Sequence, residues 1–342
     1  MTTPLTLTHL RFDCVALTPV KLARHYAGNN LRNALASVML RATCSETNRR
    51  AKPTSEHAAA CPACWLLSAE INPGSVVRAY ALVPPLPLRD VVQPGECFSF
   101  ALTLFGDGSH FFPYFVLAMN EVGRLGVGPG RGTFALEEIY AIDPVRERQE
   151  PVLAAGDSLV RVPHVQVDST AALALAGDWL FGLAPDNELT IRFHTPLRLV
   201  EKHGGKERPY RTPDFSVFFR RLLYRIDDLT RQFAGGERRA MIERVPLYRL
   251  ADQVRLVESR THWHEFWSRS GRKNSKTPLS GLVGTATYWA ADWTALLPWL
   301  LLGQATQAGK STAKGNGVYE LVRPGETGYW HWLTHPADLS QI

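Results

Sequence analysis

The chain has 342 residues, 45% of them hydrophobic and 20% charged, which fits two ordinary folded domains and excludes a disordered polyampholyte. Its formal net charge is +6, carried by 30 Arg and eight Lys. Arg forks onto phosphates and stacks on bases, so the excess is compatible with a nucleic-acid partner, although a GC-rich genome also favours Arg codons.

No apolar run approaches the roughly 18 residues that span a bilayer. The opening MTTPLTLTHLRFDC lacks the charged and apolar regions of a secretory signal, so a cytoplasmic chain without a membrane partner is expected.

In chain order, Leu5 and Leu7 begin an apolar alternation that predicts a strand. LRNALASVMLRA then places Leu31, Ala34, Leu35, Val38, Met39 and Ala42 on one helical face. Cys44, Cys61 and Cys64 follow, and with Cys14 and Cys97 they are too few and too irregular for a disulfide framework. The Cys61-Pro-Ala-Cys64 pair points to metal or redox chemistry, or to neither. Structural zinc takes four ligands, and only His57 or Glu70 could complete a set of three thiolates. The expectation is therefore no cofactor, with structural zinc as the alternative.

Phe98, Phe100, Leu102 and Leu104 predict a further strand. Residues 111–142 read FFPYFVLAMNEVGRLGVGPGRGTFALEEIYAI: an apolar helix, a glycine- and base-rich loop, then an alternating strand with Phe134 and Leu136. Residues 150–185 have no clear period and predict a connection. A second strand follows at Leu189, Ile191 and Phe193. DFSVFFRRLLYRIDDLTRQF then puts Phe215, Phe218, Phe219, Leu222, Leu223, Ile226, Leu229 and Phe233 on one helical face, with Asp214 placed to cap it.

Strand-like residues 283–289 precede WTALLPWLLLGQATQAGKSTAKGNGVYELV (293–322), which repeats the order helix, glycine-rich loop, strand. In that strand Tyr319 and Leu321 alternate. Pro298 either opens the last helix in its first turn or kinks it.

Each half thus reads strand, helix, strands, helix, glycine-rich loop, strand. This is the order of a β-α-β-β-α-β unit, here duplicated. The fold class expected is α+β, with tandem ferredoxin-like (RRM-type) domains, each an antiparallel sheet with helices on one face. The boundaries expected are 1–149 for the first domain, with a cysteine-bearing insertion, 150–186 for the connector and 187–342 for the second domain.

Gly309-Lys310-Ser311 suggests a nucleotide-binding P-loop, but the spacing is wrong. Five residues separate Gly303 from Gly309, Gln304 stands at the required glycine, and the loop leaves a helix to enter a strand. Successive glycines can still turn backbone N–H groups toward an anion, with Lys310 and Lys314 adding charge. A second such loop, carrying Gly128, Gly130 and Arg131, occupies the matching place in the first half. Two matching loops above two sheets point to a long polyanion, with RNA the natural candidate.

GQATQAGKSTAKGNGVYEL resembles the C-terminal glycine-rich loop of the CRISPR pre-crRNA-processing endoribonucleases of the RAMP superfamily. GVGPGRGTFALEEI and YAGNNLRNALASVMLRATC resemble the N-terminal half of a cysteine-containing branch. FHTPLRLVEKHGG and PLSGLVGTATYWA resemble the second half.

The resemblance implies binding of CRISPR repeat RNA (pre-crRNA) and metal-independent cleavage, in which the 2′-hydroxyl attacks the adjacent phosphate and leaves a 2′,3′-cyclic phosphate. It also implies RNA-backbone contact by Gly309, Lys310, Lys314, Gly315 and Gly317, and a place among other CRISPR effector subunits. A related non-cleaving subunit that holds processed RNA is the alternative. The branch carries a fuller cysteine set than this chain.

Such chemistry needs a base near the 2′-hydroxyl and an acid near the 5′-oxygen, roles that suit histidine. His25, flanked by Lys21, Arg24 and Tyr26, is the first candidate, with Tyr26 beside it as a further catalytic group. His57, near Arg49, Arg50 and Lys52, is the second. Arg269, Arg272, Lys273 and Lys276 sit beside Trp263, Phe266 and Trp267 without an acidic residue before Asp292. They form either a solvated loop or a phosphate- and base-contacting one.

Overall fold

The structure, a computed structural model, describes residues 5–46, 53–67, 77–183, 186–204, 206–270 and 275–334. Arg272, Lys273 and Glu70, all named above, lie outside the described residues.

The first unit contains β1 (Thr6–Ala16), α1 (Ala27–Thr43), α2 (Ser55–Ala60), α3 (Pro62–Leu67), β2 (Tyr80–Val83), β3 (Cys97–Phe105), α4 (Phe112–Leu125), β4 (Phe134–Asp143) and β5 (Arg148–Leu153). Its strands lie in the order β2-β3-β1-β4-β5 and every pair is antiparallel. Alternation along β1 explains the layering. Leu10 and Phe12 face Leu102 and Phe100 across the ladder and join the main core, and the Phe12 and Phe100 rings stack 5.1 Å apart.

The second unit follows α5 (Ser169–Leu183). It contains β6 (Glu188–Leu197), α6 (Phe215–Phe233), α7 (Met241–Gln253), β7 (Arg255–His264), β8 (Gly281–Trp289), α8 (Leu297–Thr306) and β9 (Tyr319–Val322). Its sheet runs β7-β8-β6-β9, again antiparallel throughout. In each unit the first strand is central, flanked by the third and the fourth, so the two sheets share the ferredoxin-like order.

Several local expectations are met. All eight apolar residues named on α6 are buried, and the Asp214 carboxylate accepts the Val217 N–H at 2.8 Å as the helix cap. Pro298 stands in the first turn of α8, where its missing N–H costs no helical bond.

Others differ. On α1, Ala42 is exposed and Ala36 is buried in its place. The stretch expected as a connector holds the end of β5 and the whole of α5. The boundary expected at 149/150 therefore falls inside a strand.

The face of the first sheet opposite its helices is also covered. His9, Arg11 and Asp13 of β1 point there, across from Thr103, Ala101 and Ser99. Trp330, Trp332 and Leu333, from beyond β9, pack on Val83, Ala101 and Ile142 of this face. His9 is fully buried between the Thr103 hydroxyl at 2.8 Å and the Tyr329 hydroxyl at 2.9 Å, and Arg11 Nη1 donates to the Trp332 carbonyl at 3.1 Å. The outer face of the second sheet is polar instead: Arg192 of β6 pairs with Glu320 of β9 at 3.0 Å, and the Thr190 and Thr287 hydroxyls meet at 2.8 Å.

Candidate nucleic-acid interface

The two units meet at the first turn of α1. The chain enters that turn through left-handed Ala23 and Arg24, at φ 59° and 42°. The entry is tied by backbone bonds from Leu22 and Ala23 to the Asp90 carbonyl, by the Arg24–Asp90 side-chain pair at 3.1 Å and by Asn30 Nδ2 on the Leu22 carbonyl at 3.0 Å. These bonds fix the direction in which His25 and Tyr26 leave the backbone.

From the second unit, the end of β7 and the hairpin after it (Trp267–Ser270 with Ser275–Pro278) lie against this turn. His264 places its ring 4.3 Å from that of His25, and Phe266 sits edge-on to Tyr26 at 5.9 Å. Ser268 Oγ donates to Asn29 Oδ1 at 3.3 Å, deep in the seam.

The glycine-rich loop of the second unit closes the other side. A Cβ on Gly28 would stand 2.5 Å from the Lys314 carbonyl oxygen and 2.7 Å from Gly315 Cα, so only glycine permits this crossing. Gln307 Nε2 donates to the Leu82 carbonyl at 3.0 Å, and the buried Asn316 side chain donates to the Leu279 carbonyl at 2.8 Å.

This corrects the picture of an open anion nest. The N–H groups of Lys310, Lys314, Gly315, Asn316 and Gly317 all donate to carbonyls within the protein. Gly315 serves close packing against the first unit, Gly309 and Gly317 pack on Arg198 and Ala308 of their own unit, and the loop meets solvent through Gly309, Lys310, Ser311 and Lys314. Lys310 is paired with Glu207. Lys314 lies beside Arg32 and Arg78, and burial, followed by those two cations, pushes its ammonium down to about 8. The twin loop lies on the same side of the molecule: Gly128 packs on the Lys21 carbonyl near Asn30, with Gly130 and Arg131 exposed.

Three polar atoms within two turns of α1 are buried without a hydrogen-bond partner among the described residues: His25 Nδ1, Asn29 Nδ2 and Arg32 Nε. Buried polar groups are rarely left unpaired, and a run of them beside Lys314 is a place where acceptors are missing. Burial, then His264, Arg24 and His262, pulls His25 down to about 4, with Asp90 acting in the opposite sense. His264 is lowered as well, by burial and then by His262. Both imidazoles are thus neutral at pH 7 before any anion arrives.

The structure does not gather all of the candidates here. His57 lies at the other end of α1 with Cys44, Cys61 and Cys64, and the ligand atoms of these four residues all fall within 4.8 Å of one another. It is therefore misplaced as a second general base. Lys276 is exposed on the hairpin, opposite Arg269 in the ladder.

Sequence reasoning missed His264, His262, Asn29 and Arg32. Thr261-His262-Trp263-His264 carries a period-2 signal that aims both histidines to one side of a strand, but nothing local says that this side meets His25.

The two ferredoxin-like units thus enclose a basic, histidine-bearing seam, and comparison with known families bears on what it does. Residues 191–319 match the model of the CRISPR-associated endoribonuclease Cas6, and residues 5–165 match a model described as an N-terminal domain. Over residues 191–319 the chain thus resembles the Cas6 family of CRISPR-associated endoribonucleases. It is similar in structure to a Cas6 product complex, with TM-score 0.55 and 17% identity over 92% of this chain and 100% of the other. It is likewise similar to Thermus thermophilus Cas6, with TM-score 0.55 and 16% identity over 93% and 99%. A partial Cas6-RT-Cas1–Cas2 complex gives TM-score 0.59 and 14% identity over 99% of this chain and 52% of the other. No curated protein sequence matches. Among the described residues, no helix is long and apolar enough to cross a membrane.

Proposed function

We propose that the chain binds CRISPR repeat RNA along the seam at the start of α1 and cleaves it there by metal-independent transesterification. The observation that carries this reading is the His25–His264 pair, 4.3 Å apart and contributed by different units, with His25 Nδ1 buried and unpaired.

His25 is neutral at pH 7 and can accept the 2′-hydroxyl proton as that oxygen attacks the adjacent phosphorus. The 5′-oxygen leaves with a proton from His264, whose affinity for protons rises as the RNA phosphate enters beside it. Lys314, with Arg32 next to it, supplies positive charge to the phosphorane. A 2′,3′-cyclic phosphate and a 5′-hydroxyl result. Tyr26, edge-on to Phe266, and the hairpin bearing Arg269 and Lys276 extend the RNA-binding surface, as do Gly128, Gly130 and Arg131 of the twin loop. The Cas6-RT-Cas1–Cas2 resemblance supports further CRISPR subunits as partners.

The test is incubation of the pure protein with repeat RNA, with excess EDTA added at the start, followed by end-group analysis. Cleavage to a cyclic phosphate is expected, with His25→Ala and His264→Ala each slower by about 10²-fold or more, the usual scale for a positioned acid or base. Unchanged cleavage by His25→Ala would refute the assignment. Tight binding by the wild-type protein with no cleavage would refute the enzyme and leave a non-cleaving RNA-binding subunit.

A further inference from the structure

We propose that Cys44, His57, Cys61 and Cys64 form a structural zinc site that pins the far end of α1 to the α2–α3 insertion.

The local fold brings four ligands to one point. Cys44 is the C-cap of α1, and its N–H donates to the Leu40 carbonyl at 3.3 Å. Thr54 caps α2 by accepting the His57 N–H at 3.1 Å, which fixes the backbone of that histidine. Cys61 joins α2 to α3, and Cys64 lies one turn further on, so their thiols project from the same side of the turn.

The distances match what the metal requires. Tetrahedral zinc with Zn–S near 2.3 Å and Zn–N near 2.0–2.1 Å has ligand edges of about 3.8 Å for S···S and about 3.6 Å for S···N. Cys44 Sγ lies 3.7 Å from Cys64 Sγ and 3.5 Å from His57 Nε2. The first of these is far beyond a disulfide bond, and Cys44, Cys61 and Cys64 are all reduced thiols. His57 meets the thiols through Nε2, while Glu46 lies 3.7 Å from Nδ1, the usual carboxylate partner of a metal-bound imidazole. Three sulfurs and one imidazole select zinc over the oxygen-seeking cations.

Such a site has a structural consequence and no chemical one. At 1.5 Å per residue, the 17 residues of α1 put Cys44 about 25 Å from the His25 end. Between Cys64 and the second unit stands Trp65, stacked on Phe111 at 4.5 Å and edge-on to Phe233 of α6 at 5.8 Å. Zinc would hold the short helices α2 and α3, and with them Trp65, against both units.

Protein purified without chelator is expected to carry one zinc per chain by elemental analysis. Loading the metal-free protein with cobalt(II) alone is expected to give the intense visible bands of a tetrahedral site together with thiolate charge transfer. His57→Cys should keep the full equivalent, because it remains a four-ligand set. His57→Ala and Cys64→Ser should hold at least tenfold less after exposure to a competing chelator, while Cys97→Ser should match the wild type.

Wild-type protein that stays metal-free after incubation with zinc chloride under reducing conditions would overturn the proposal. So would Cys64→Ser keeping its full equivalent, or His57→Cys losing it. Where a variant does not fold, the wild-type cobalt spectrum decides: a pale octahedral spectrum without charge transfer is the refuting result.

Discussion

Gly28→Ala is the sharpest probe of the seam. The new methyl would stand 2.5 Å from the Lys314 carbonyl oxygen and 2.7 Å from Gly315 Cα, both backbone atoms with no rotamer to escape into. Restoring a contact of about 3.4 Å requires α1 and the loop to part by about 0.9 Å. Alanine contributes up to about 1 kcal/mol of helix propensity, whereas overpacking of this kind costs about 1–3 kcal/mol. Net destabilisation is therefore modest, and the melting temperature should fall by only a few degrees.

The functional effect is expected to be larger. His25 and Lys314 sit on opposite sides of the widened crossing, and a misplacement near 1 Å can cost about 10²-fold in rate. Single-turnover cleavage of repeat RNA, read beside thermal melting, should show a 10- to 100-fold loss with the fold kept. Wild-type rate and unchanged melting would refute the idea that the loop seats α1. Gly177→Ala is the matched control: this helical glycine has open space around it, so the protein should gain about 0.5–1 kcal/mol.

Acid should loosen the protein through His9. Burial drives its imidazole to about 3, against 6.5 when exposed, so the unfolded chain takes up a proton that the folded one refuses. Stability is then full above pH 6.5 and falls as the pH drops toward 3, by about 2 kcal/mol at pH 5 from this group. Denaturant melts at pH 7 and pH 5 measure it, and a slope unaltered by His9→Gln would contradict the assignment. In the RNA-free protein, His25 should titrate near pH 4 by NMR and move upward when a 2′-deoxy repeat analogue binds. A midpoint near 6.5 in the free protein would remove the case for burial in the seam. Asp214→Ala should cost about 1 kcal/mol by equilibrium unfolding, since it strips the cap from α6.

What the sequence exposed was whatever carries a strong local period. The α6 pattern with its cap, the alternation of β3, β6 and β8, and both glycine-rich loops can be read residue by residue, and the duplicated topology follows from their order. The elements that escaped have physical reasons to do so. β7 is an edge strand whose Arg255–Arg260 stretch is exposed on both faces, so charged residues and the apolar Leu256 and Val257 follow one another there without alternation. The α5 sequence STAALALAGDWLFGL is apolar nearly all round and shows no 3.6-residue stripe.

The site divides in the same way. His25 stands out by its basic neighbours. Its partner His264 is 239 positions away, and His57 reads equally well as a base or a ligand until α1 separates it from the seam. The glycines were legible as a loop, but the close packing of Gly315 against Gly28 was not.

The aromatic segment on the first sheet also bears on how the chain is made. Val83, Ala101 and Ile142 belong to the portion synthesised early, yet the residues that cover them, Trp330, Trp332 and Leu333, come more than 180 positions later. During translation the first unit must therefore wait at the ribosome with an apolar patch on one sheet face wet, its own β-α-β-β-α-β core already closed. Such a face is a natural client for a chaperone, and closing so distant a contact is slow. Trp330, Trp332 and Leu333 thus complete a domain built from residues far earlier in the chain.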